Sequence, residues 1–95
     1  MPCIGVLTVE LRLDESHSLK EKRHVVKSLQ DRLRHKFNVA VAEIGFQDLW
    51  QRGLVAAVTV SSDRGNAEII LHSVENEVAS LLGPVLVSAT LEWLE

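Results

Sequence analysis

Apolar and polar residues alternate from residue 3 to residue 13. Cys3, Leu7, Val9, Leu11 and Leu13 fall on one side and Thr8, Glu10 and Arg12 on the other, which predicts a half-buried strand. At Ser18 the period changes. Leu19, Val26, Leu29 and Leu33 recur at spacings of seven, three and four, one face of a helix running from Ser18 to about Lys36. Ser18 and Glu21 have the S-x-x-E spacing of a capping box, in which each side chain satisfies an orphan backbone N–H.

Two Val- and Ala-rich runs, FNVAVAEIG and LVAAVTVS, flank FQDLWQRG and predict a hairpin of strands. SSDRGNAE then offers Ser62 or Asp63 as the N-cap of a second helix, striped by Ala67, Ile70, Leu71, Val74, Val78 and Leu81. Gly83 and Pro84 end it through a left-handed cap and a missing donor. Val85, Val87, Ala89, Leu91 and Trp93 alternate with Leu86, Ser88, Thr90, Glu92 and Leu94 as a last strand, with Trp93 on the core side.

The order βαββαβ, with right-handed crossovers, predicts an α+β ferredoxin-like sandwich: a four-stranded antiparallel sheet with both helices on one face. Strand parity assigns Val6, Thr8, Glu10, Arg12, Ala40, Ala42, Ala57, Thr59, Ser88 and Thr90 to the other face. That face reads as small and weakly polar, either solvated or paired with another subunit.

Composition narrows this picture. At 95 residues, 46% hydrophobic and 24% charged, residues 1–95 suit one folded domain. The N-terminus MPCIGVLTVEL has neither the basic start nor the cleavage site of a signal peptide, and no run approaches a membrane span. A cytoplasmic location is expected, away from membranes. Cys3, the single cysteine, has no partner for a disulfide or a metal and reads as a buried apolar residue. No cofactor or metal is implied, because the four histidines include no i,i+4 pair on a helix.

The net charge of −3 conceals an asymmetry. Residues 18 to 36 hold seven Lys or Arg against Glu21 and Asp31, whereas residues 63 to 95 set Arg64 against six acids. Arg23, Lys27 and Arg34, with Lys20 close by, form a basic ridge along one flank of the first helix. Lys20, Lys22 and Arg23 occupy its first turn and a half, where the macrodipole disfavours cations by roughly 0.3–1 kcal/mol each. Either the ridge is a solvated face with a Lys27–Asp31 pair, or Lys20, Lys22, Arg23, Lys27 and Arg34 meet an anion such as a nucleic-acid backbone. In the hairpin loop, Gln47, Asp48, Gln51 and Arg52 surround Trp50, which is either an exposed partner-binding anchor or a lid folded over the core.

Other uses of this fold lack their residues. The first and third strands carry no aromatic to stack bases as an RNA-recognition motif does, cysteines are not clustered, and the DESHS loop has no glycine to cradle phosphate. No nucleophile, base and orienter can be assembled either, so a non-enzymatic role is favoured.

The segment from Ser18 to Arg52, above all SLKEKR and QDLWQR, with SSDR after it, resembles the bacterial YlxP-like family, a small domain of unknown function. The likeness runs over nearly the whole chain, with Phe46 where the family pattern leads one to expect histidine. The resemblance implies a cytoplasmic ferredoxin-like domain often encoded among genes for translation and ribosome assembly. The leading expectation is therefore a module that binds RNA or a ribosomal particle through the ridge, helped by the loop. Two alternatives are a homo-oligomer, such as a homodimer, joined through the open sheet face or the basic and acidic surfaces, and a domain binding a phosphorylated small ligand.

Overall fold

In a computed structural model, which describes residues 1–94, the elements are β1 (Cys3–Arg12), α1 (Leu19–Lys36), β2 (Ala40–Gly45), β3 (Arg52–Ser61), α2 (Arg64–Leu82), a short 3-10 turn (Gly83–Val85) and β4 (Leu86–Leu94). The strands form one antiparallel sheet in the order β2-β3-β1-β4, the ferredoxin-like arrangement that the element order predicts. Among the described residues no helix is long and apolar enough to cross a membrane.

Both helices cover the face formed by Leu7, Val9 and Leu11 of β1. With Val26, Leu29 and Leu33 of α1 and Leu71, Val74 and Val78 of α2 they make one core. The closest approach is at Gly5. A Cβ there would lie 2.5 Å from Leu71 Cδ1 and 2.9 Å from the Trp93 ring, so α2 and the indole sit where any larger residue would intrude. Trp93 thus packs on the core side, as its parity predicts, and the Arg64 guanidinium stacks on its outer face at 4.6 Å.

Asp63, rather than Ser62, caps α2, its carboxylate accepting from the Asn66 N–H at 3.1 Å. Gly83 ends that helix at φ 54, a positive φ that glycine adopts without a Cβ penalty. Cys3 is half-buried rather than buried, because it lies at the start of an exposed N-terminal strand end.

The uncovered face departs from the sequence reading. Leu7 pairs with Ala57 and Gly5 with Thr59, so Ala57 and Thr59 point toward the helices, each 2% exposed. The open positions of β3 are instead Leu54, Ala56, Val58 and Val60, beside Thr8, Val6 and Ile4. A register shift opposite Glu10 and Leu11 also places Leu86 against the core and leaves Val87 exposed. The face is consequently more apolar than parity alone implied.

Candidate functional site

The first turn of α1 is built as its sequence predicts. Ser18 is the N-cap, its Oγ accepting from the Glu21 N–H at 3.1 Å. The Glu21 carboxylate accepts the His17 N–H at 2.7 Å, so its return bond lands one residue before the cap.

Lys22 does not join the surface ridge. Its side chain is fully buried, and the ammonium donates to the carbonyl oxygens of Phe46 at 2.6 Å, Arg52 at 3.1 Å and Gln47 at 3.4 Å. An ammonium has three protons, and three carbonyls use them. Glu43 Oε2, buried and without a hydrogen bond, is compensated by the Lys22 charge 3.0 Å away. Lys22 therefore cannot contact an outside anion. It locks α1 to the hairpin, turning a flexible cation into the anchor of the loop. Phe46 takes φ 57, and its carbonyl is the shortest of the three contacts.

The exposed cations divide into two groups. Arg32 and Lys36 clasp Glu77 of α2 at 3.0 and 2.6 Å, and the hydrogen bonds from Lys36 and then Arg32 hold the Glu77 carboxyl below its ordinary range. Asp31 is shared by Lys27 at 3.7 Å and Arg34 at 3.5 Å, and Arg34 also donates to the Val41 carbonyl at 2.8 Å. Lys20 and Arg23 are exposed, with no acidic partner among the described residues. At about 100° per residue, positions 20, 23, 27 and 34 fall within an arc of roughly 60°. The stripe is real, but Asp31 offsets one of the two positive charges of its C-terminal half.

Tethers from every side hold the hairpin loop. Gln51 Nε2 donates to the carbonyls of Asp14 and Ser16 at 3.2 Å each, and Gln47 Nε2 to that of Glu43 at 3.3 Å. The Arg52 guanidinium lies 4.0 Å over the Phe46 ring and pairs with Glu10 at 2.8 Å. Phe46 thus serves as a stacking surface. Trp50 is 51% exposed and does not lid the core. Together with Asp48, Arg12 and Val87 it borders a groove of about 650 Å³ that opens on the uncovered sheet face. Gln47, Gln51 and Arg52 are thus occupied in shaping the loop, and Trp50 is what it presents. Among the described residues no group of three or more His, Cys, Asp or Glu could hold a metal ion.

Residues 4–90 match the model of a family described as "Protein of unknown function (DUF503)". The chain is 44% identical over 71 residues to "Uncharacterized protein YlxP" of Bacillus subtilis (strain 168), covering 75% of this chain and 77% of that one. Among solved structures it is similar to the de novo designed protein Foldit4, with TM-score 0.62 and 9% identity over 100% of this chain and 98% of that one. It is also similar to a de novo designed protein with ferredoxin fold, with TM-score 0.50 and 15% identity over 99% and 84% of the two chains. These structural likenesses show the fold. The chain belongs to the DUF503 family.

Proposed function

We propose that this member of the DUF503 family is a non-enzymatic module that binds an RNA backbone, bare or on a ribosomal particle, along the outer flank of α1. The observation that carries the reading is the pair Lys20 and Arg23. Both are exposed and lack an acidic partner among the described residues, and they stand at the helix end where the dipole opposes them. Folding gains nothing evident from that placement, whereas a phosphate would meet two cations and the positive end of the helix together. Lys27 extends the stripe, since its 3.7 Å pair with Asp31 is exposed and contributes little to stability.

The Lys22 anchor brings the loop to the same end of the molecule, and there Trp50 offers a face for an unpaired base. Arg34 is assigned a lesser share, because its guanidinium is already engaged by Val41 and Asp31. Retention on structured RNA tests the reading. The double charge reversal Lys20→Glu with Arg23→Glu is expected to abolish retention at moderate salt while leaving the circular dichroism spectrum unchanged. Retention that survives the reversal sinks the proposal.

A further inference from the structure

The uncovered face of the sheet has a pattern unlike that of α1. At one end Ile4 lies between Val60 and Leu94, and Val6 pairs with Val58, a continuous aliphatic patch in which Val60 and Leu94 are 57% and 52% exposed. Toward β2 the face runs through the small Ala56 and Ala42 to Leu54, and Ile44, 52% exposed, stands at the bulge before Gly45. Apolar residues this contiguous on a four-stranded sheet mark a surface that another molecule covers.

Charge identifies the occupant. The face carries Glu10 and Glu92 against Arg12 and Arg52, two charges of each sign. Its arginines are already matched, Arg52 with Glu10 at 2.8 Å and Arg12 with Asp14 at 3.1 Å. A polyanion finds no unmatched cation here, and a strongly charged protein finds no field. An identical face, equally apolar and with its arginines equally matched, is the matching surface.

Area agrees. Four strands about 4.8 Å apart and some nine residues long at about 3.3 Å each give a face of roughly 500–600 Å² in projection. Side-chain relief and the wall of the 46–51 loop bring it toward the ~800 Å² per partner of a standard stable interface. The chain exposes 5850 Å², somewhat more than the roughly 5,500 Å² of a typical monomer of its mass.

We infer that two copies of this chain pair face to face through the open side of the sheet, in a two-fold, self-complementary dimer. Both α1 helices then remain on the outside, so Lys20, Arg23 and Lys27 stay free for the proposed RNA contact, whereas Trp50, on the loop that walls the face, lies at the rim of the pairing surface. Sedimentation equilibrium across protein concentration tests this, beginning with the unmodified chain of 10.6 kDa. The expected result is a mass twice that of the chain at micromolar concentration. Val58→Glu, at the centre of the patch, and Val60→Glu, at a position too exposed to unfold a monomer, are each expected to weaken association by at least about thirtyfold, because an unpaired charge would be desolvated. Arg23→Glu is expected to leave association unchanged. A monomer at every concentration overturns the inference. So does a dimer indifferent to both valine substitutions, which would point to pairing of edge strands or of basic and acidic surfaces.

Discussion

Replacing Lys22 by methionine keeps most of its aliphatic volume and removes the ammonium. The Phe46, Arg52 and Gln47 carbonyls lose their donor, and the buried Glu43 carboxylate loses the charge 3.0 Å from it. Removing one member of a buried pair costs about 3–5 kcal/mol, because the other is left uncompensated. A chain of this length is stable by roughly 5–14 kcal/mol, so the loss is a large share of the whole. At about 4–8 °C per kcal/mol, Lys22→Met lowers the melting temperature by some 12–40 °C.

Urea unfolding followed by tryptophan fluorescence measures the change, and Trp50 reports the loop directly. The Lys22→Met, Glu43→Leu double variant is expected to recover at least about 1–2 kcal/mol relative to additivity, since the stranded charge is gone. A single-variant loss below about 1 kcal/mol, or strictly additive behaviour, would refute the idea that this ion pair is the anchor.

Two further outcomes test the fold. Gly5→Ala places a methyl group against Leu71 and Trp93 at 2.5 and 2.9 Å, so a loss of about 1–3 kcal/mol is expected in the same urea assay; an unchanged midpoint contradicts the packing. The Glu77 carboxyl is held low by Lys36 and Arg32, so its contribution is present above the ordinary glutamate range and is lost as pH falls through the depressed value. Glu77→Gln should therefore lower stability near neutral pH and flatten the acid limb of a stability–pH profile, and parallel profiles for the two proteins would contradict it.

Much of this fold is legible in the sequence because its signals are local. The Ser18–Glu21 box, the alternation in β1 and the Gly83–Pro84 stop each act within a few residues. The phase of β3 is not set locally. In LVAAVTVS the parity of Leu54, Ala56, Val58 and Val60 is wholly apolar while the other carries Thr59 and Ser61, so the local pattern points the wrong way and only pairing with β1 decides that Ala57 and Thr59 face inward and Val58 and Val60 outward. The β4 bulge likewise moves Val87 out by a shift that no single-strand pattern carries.

Lys22 departs from the sequence expectation for a different reason. Residues 22, 26, 29 and 33 are the buried positions of α1, at spacings of four, three and four, so Lys22 stands at the head of the apolar stripe. That spacing is itself a signal of burial. A lysine among other lysines is ordinarily solvated, and only the carbonyls 24 to 30 residues away in the hairpin make this one an exception. The same fact reduces the candidate site to Lys20, Arg23 and Lys27, with Arg34 in part, and leaves Trp50 as the surface that the anchored loop presents.

The most direct measurement is the salt dependence of RNA binding, followed by fluorescence anisotropy with a labelled structured RNA. Each phosphate neutralised contributes about 0.7–0.9 to the slope of log K against log salt. The unmodified chain is expected to show a slope near −2 to −3 from Lys20, Arg23 and Lys27, and Arg23→Gln to reduce its magnitude by about one. An affinity indifferent to salt, or a slope that Arg23→Gln leaves unchanged, would contradict the assignment of α1 as the RNA-binding surface.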